Sequence, residues 1–157
     1  MTLYVHPEYR TSLWLWSSAQ SELTDLLPGE RIYTEALPST KVFPLGKISQ
    51  LTDPDIVDGT HAVVRGLFQF DVWGGSPAST WEIAETWRSL LAQRLTGVHD
   101  DFVAGLVTCG GIARTTESLK SQAPEGGSDG PDVSRARPRC RFDAQIVLRP
   151  ARAGAGS

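Results

Sequence analysis

His99-Asp100-Asp101 sets a histidine directly beside two carboxylates in this chain of 157 residues, and it is the natural first place to look for chemistry. A bound divalent metal takes three or four His, Cys or carboxylate ligands at workable spacing. The other histidines, His6 and His61, lie far off along the chain, and Cys109 and Cys140 are isolated, so nothing completes the set and a solvated loop is expected. Asp53, Asp55 and Asp58 also crowd carboxylates together. They lack the twelve-residue ligand pattern with its terminal Glu that a calcium loop uses, and they read as a turn. Gly110-Gly111 and Gly126-Gly127 do not stand between a strand and a helix, as a phosphate-binding loop requires. No serine stands in a nucleophile elbow of that context, and there is no Cys-x-x-Cys. No catalytic residue, metal or cofactor is expected.

Arg135, Arg137, Arg139 and Arg141 carry a different signal. Alternate spacing in an extended chain puts all four on one side, as a positive stripe. Interleaved aromatics and a reading helix, the marks of a nucleic-acid site, are missing. The remainder of the protein is acidic: residues 1–134 hold 9 basic and 17 acidic side chains, whereas residues 135–157 hold six Arg and one Asp. A protein partner or the acidic surface of another copy is the expected counterpart. DNA passing through a ring lumen lined by the stripe is another reading, and a solvated tail is the third. A second interface candidate is Trp14, which a helical wheel sets among Thr11, Ser18, Glu22 and Asp25. An exposed tryptophan anchors interfaces well, and the alternative is that a loop of the same chain covers it.

The elements that must position these residues follow from periodicity. Pro7 to Leu27 has helical spacing, with Tyr9, Trp16, Ala19, Leu23, Leu26 and Leu27 on one face, Leu13 and Leu15 flanking it, and Pro28-Gly29 as the stop. A strand is expected over Lys41–Leu51, interrupted by Pro44 and Gly46, which suits a sheet edge or a bulge. Thr60 to Trp73 alternates: Val64, Gly66, Phe68, Phe70 and Val72 on one face, Arg65, Gln69, Asp71 and Trp73 on the other. A second helix starts at Ser76 or Ser79, runs to about Leu95, and buries Ile83, Ala84, Trp87, Leu90, Leu91 and Leu95. Phe102 to Thr116 reads as one strand bent at its glycines, residues 118–134 as a flexible loop, and Arg139 to Arg149 as the last strand. The expected fold is one α+β domain over residues 1–150, an antiparallel sheet of about four strands covered by two helices in the order α-β-β-α-β-β, with 151–157 a disordered tail. No apolar run approaches the roughly 18 residues of a bilayer span, and a basic segment followed by a long apolar stretch is missing near Met1, so a soluble, cytoplasmic protein with two reduced thiols is expected.

Four segments together resemble the tail-terminator (tail-completion) proteins of long-tailed bacteriophages. They are Val42-Phe43-Pro44-Leu45-Gly46, then Phe70-Asp71-Val72-Trp73 ahead of a Gly/Ser break, Ala84-Glu85-Thr86-Trp87-Arg88-Ser89-Leu90-Leu91, and Arg141-Phe142-Asp143-Ala144-Gln145-Ile146-Val147-Leu148. The resemblance spans roughly residues 5–150. It implies a structural virion protein with no enzymatic activity, assembled in the bacterial host cytoplasm and placed at the head-proximal end of the tail. Copies of it, typically six, would form a ring on the end of the tail tube, stop tube polymerisation, and present the surface that joins the DNA-filled head. The implied partners are other copies of the chain, the tail-tube protein and a head-completion or neck protein, with no membrane. The competing readings are a neck or stopper protein on the head side and a small α+β ligand-binding module.

Overall fold

The computed structural model describes residues 3–117 and 136–151. Helix α1 (Tyr9–Ser18) opens at Glu8, whose carboxylate accepts the Arg10 amide at 2.9 Å. The helix expected to reach Leu27 stops early, because the Ala19 and Gln20 amides turn back to Trp16 and Ser17 carbonyls in a tighter, 3₁₀-like closure. A short helix α2 (Ser21–Thr24) follows. The break re-aims the chain so that Leu23 and Leu27 are fully buried, while Leu15, expected to flank the apolar stripe, is 54% exposed. Ser12 and Ser17 take buried places instead.

A 3₁₀ turn (Gly29–Arg31) leads into β1 (Ile32–Tyr33), and β2 (Leu45–Gln50) begins directly after Pro44. Strands β3 (Asp55–Ile56) and β4 (Val64–Trp73) form a hairpin whose turn uses left-handed backbone at Gly59 and His61. Helix α3 (Pro77–Arg94) starts at the Ser76 N-cap, whose hydroxyl accepts the Ser79 amide at 3.2 Å, with proline in its first turn. The chain ends in β5 (Gly97–Val98), β6 (Phe102–Cys109), β7 (Ala113–Glu117) and β8 (Arg137–Pro150).

The expected sheet of about four antiparallel strands under two helices is therefore corrected: among the described residues eight strands join in one sheet and three α-helices are present. The sheet runs β1-β2-β4-β8-β6-β5, with β3 added to β4 and β7 to β8, and it is mixed because β1 is parallel to β2. Three of the unexpected strands, β1, β3 and β5, are two residues long, too short for alternation to register. The fourth, β7, comes from the expected 102–116 strand, which divides around Gly110-Gly111; both parts pair end to end along β8, and β6 carries a register shift between Ala104 and Val107.

All three helices lie on one face of the sheet. There Phe70 of β4 stacks on Phe142 of β8, directly opposite in register, with ring centroids 5.0 Å apart. Trp87 of α3 meets Phe70 edge-on at 5.0 Å, and its indole N–H donates to Ser17 Oγ of α1 at 3.0 Å. One side chain thus ties both helices to the centre of the sheet. Gly46 of β2 allows this closeness, since a Cβ there would stand 3.0 Å from Leu27 Cδ2 and 3.1 Å from the Trp87 ring. The expected 118–134 loop lies outside the described residues, as does the tail beyond Ala151. No helix among the described residues is long and apolar enough to cross a membrane.

Candidate functional site

Strand β8 alternates as its sequence predicts: Phe142, Ala144, Ile146 and Leu148 enter the helix-covered core, and the odd-numbered residues face the other way. Arg137, Arg139 and Arg141 therefore share the uncovered face of the sheet, while Arg135 lies outside the described residues. Sharing a face does not make them equivalent. Arg139 is drawn into a second small core, in which Leu37, Leu45 and Trp73 are buried with Tyr33 and Phe43 against them. Its guanidinium Nη2 lies 2.7 Å and its Nε 2.9 Å from Asp71 Oδ1, and Asp71 is 2% exposed. Gln69 Nε2 donates to the other Asp71 oxygen at 2.8 Å, so both carboxylate oxygens are engaged. Arg137 lays its guanidinium 3.8 Å above the Phe43 ring. Only Arg141 of the three is exposed.

Away from that small core the uncovered face is open and polar. Lys47 of β2, Arg141 and Arg149 make no ion pair among the described residues, and Arg65 of β4 has a loose one, 3.9 Å from exposed Asp55. Against these stands Asp143. A depression of about 270 Å³ between Thr52, Asp55, Arg65, Leu67 and Gln145 marks the middle of this surface. At the sheet's border, residues 105–109 of β6 have no strand outside them among the described residues, because β5 pairs only as far as Ala104. Leu106 there is 72% exposed and Val98 of β5 76% exposed.

Trp14 is half-buried, with its indole N–H donating to the Gly29 carbonyl at 3.1 Å, so the turn after α2 covers part of it. Its remaining surface lines a shallow concavity of about 410 Å³ with Tyr33, Thr34 and Glu35. The structure sets Trp14 beside β1 and the β8 arginines on the opposite face, so the expected interface residues do not form one cluster.

The histidines hold elements together. His99 Nε2–H donates to the Leu95 carbonyl at the end of α3 at 2.6 Å, and the ring stacks on Phe102. Asp101 accepts from the buried Ser12 hydroxyl at 2.5 Å, tying the β5–β6 turn to α1. His6 Nε2–H donates to the His61 carbonyl at 2.7 Å, and its Nδ1 shares a hydrogen bond with the Tyr9 hydroxyl at 2.6 Å. Asp58 receives the Thr60 hydroxyl and amide, an Asx-type turn, and the hydroxyl contact leads in lowering its carboxyl below the usual range. No group of three His, Cys, Asp or Glu among the described residues is placed to hold a metal. Both cysteines are free thiols, Cys140 buried and Cys109 half-buried.

Sequence reasoning did not find the Asp71–Arg139 pair. It placed both residues on polar strand faces, but the pairing depends on the β4–β8 register, which sets Asp71 opposite Arg141 and Trp73 opposite Arg139. No protein-family model matches the chain, and no curated protein matches it in sequence.

Proposed function

We propose that this chain is a structural subunit of a long-tailed bacteriophage, one that forms a ring on the end of the tail tube, terminates tube polymerisation and provides the head–tail joining surface. The observation that carries the reading is the meeting of the four sequence segments on which the resemblance rests. Leu45 and Gly46 pair with Trp73 and Val72, the end of β4 pairs with the Arg141–Leu148 stretch of β8, and the 84–91 stretch of α3 lies over both through Trp87. Segments separated by up to a hundred residues thus make one unit, the centre of the sheet and the helix upon it.

The exterior suits assembly. A strand edge that no described strand covers, with exposed leucine and valine, can pair with another chain, and an uncovered polar sheet face offers a broad surface for a neighbour. A contact joining two different surfaces of the subunit closes into a ring when its rotation allows.

Native mass spectrometry of the purified protein, alone and with short tubes of the cognate tail-tube protein, tests the reading. Closed rings, or arrest of tube growth at stoichiometric amounts, are the expected results. A protein that remains monomeric and ignores tubes, while retaining a portal or adaptor protein, belongs instead to the head side of the joint.

A further inference from the structure

The two broad surfaces of this molecule carry opposite charge. On the helix side, Asp25, Glu30, Glu82 and Glu85 make no ion pair among the described residues, whereas Glu8 and Glu22 are neutralised by Arg10 and Arg94 at 3.2 and 2.8 Å. Three arginines remain there and keep their charge, Arg31 Nη1 donating to the Phe43 carbonyl, Arg88 Nε to the Gly110 carbonyl, and the Arg114 guanidinium lying 3.7 Å over the Trp81 ring of α3, so the four unpaired acidic groups still outnumber the basic ones. On the uncovered sheet face the free charges are Lys47, Arg141 and Arg149 against Asp143. Near the centre of that face Leu67 and Val147 are half-buried and apolar, within a border of arginine and glutamine. An apolar centre inside a polar, charged rim is the usual anatomy of a protein contact surface.

We infer that the uncovered sheet face of one copy receives the acidic helix layer of a second copy, front to back. Charge complementarity selects this occupant: like faces repel, face to face or back to back, and the only attractive pairing joins opposite sides of the molecule. Such a contact is heterologous, so it leaves a sheet face free at one end and a helix layer free at the other, and it propagates into a ring or a stack. The inference deepens the assembly reading above and rests on its premise that copies of the chain meet. It does not depend on the tail tube being the template.

The test uses two charge-reversal variants of the full chain, R141E/R149E on the sheet face and E82R/E85R on the helix layer, studied alone and mixed, with and without tubes. Each variant alone carries the same sign on both sides and is expected to lose self-association at least about tenfold. The equimolar mixture is expected to recover it as assemblies of alternating composition, which native mass spectrometry resolves by mass. Far-UV circular dichroism confirms that each variant is folded, as the surface positions of the side chains predict. Variants that assemble and cap tubes like the unaltered chain, or a mixture that recovers nothing, overturn this contact and leave the capping reading in place. An unaltered chain that neither self-associates nor caps overturns both. Binding of duplex DNA by a monomer, lost in R141E/R149E, overturns the contact and gives the face to a polyanion.

Discussion

Asp71 and Arg139 are the residues whose loss this structure should feel most among the polar ones. The carboxylate is buried, and the guanidinium beside it has 16% of its side chain exposed, so deleting Asp71 removes a buried, doubly bonded counter-charge from a largely desolvated cation. Asp71→Ala is expected to cost about 3–5 kcal/mol, the range for breaking a buried pair, read from urea denaturation. Arg141→Ala, two residues further along the same strand but exposed, should lie within about 0.5 kcal/mol of the unaltered protein. Equal losses at the two positions would mean that the arginines act as one stripe. Inside the core, Ser17→Ala leaves the Trp87 indole N–H without its acceptor and should cost about 1–3 kcal/mol. Burial pushes the Cys109 and Cys140 thiols up, and it pushes the Tyr9 hydroxyl up further with a smaller contribution from the Asp101 charge. The folded protein therefore holds these protons more tightly than the unfolded chain. Stability should fall as pH rises past the unfolded thiol value, about 8.5, and again past about 10 for the tyrosine. The urea midpoint should be lower at pH 10 than at pH 7.5, and the Cys109→Ala/Cys140→Ala double variant should flatten the fall between pH 8 and 9.5.

At the scale of elements, α3 and β2 control how the helix layer meets the sheet. Helix α3 begins at a capped serine after a buried glycine; a Cβ on Gly74 would stand 2.2 Å from Thr80 Oγ1, so the strand-to-helix turn is as tight as the chain allows. Ser76→Ala removes the acceptor of the Ser79 amide and should cost about 1 kcal/mol. Gly46→Val is the sharper test, because the added methyls point at Leu27 and Trp87, the contacts that seat α2 and α3 on β2. Overpacking of this kind costs about 1–3 kcal/mol, and Leu27→Ala in the same chain should recover part of it. If the double variant is no more stable than Gly46→Val alone, the steric account of Gly46 is wrong.

For the whole molecule, a single core joins both helix groups to the central strands β4 and β8. Equilibrium unfolding should accordingly be one transition, with tryptophan fluorescence and far-UV circular dichroism giving the same midpoint. Trp87 and Trp73 report from opposite faces of the sheet, so a fluorescence midpoint below the backbone midpoint would show that the small cluster under Arg139 opens on its own.

Much of this architecture was legible in advance, and the limits have physical causes. The alternation of β4 and β8, a serine cap on α3 at Ser76 or Ser79, the buried stripe of α3 and the turn at Asp58 follow from the sequence by itself, because each depends on neighbours within a few residues; the structure places the cap at Ser76. Charge segregation between the acidic body and the basic last strand is likewise a property of composition. Strand count and sheet order could not follow, since two-residue strands exist only where a partner supplies their hydrogen bonds. The break in the first helix was also decided in three dimensions, by the burial of Leu23 and Leu27 that it permits. Period-two spacing put Arg137, Arg139 and Arg141 on one face, but only register and the folding of Phe43 and Leu37 onto Trp73 separated a buried ion pair, a ring-stacked cation and a free charge. A side chain's direction is local to its strand, whereas its burial depends on what the rest of the chain brings against it.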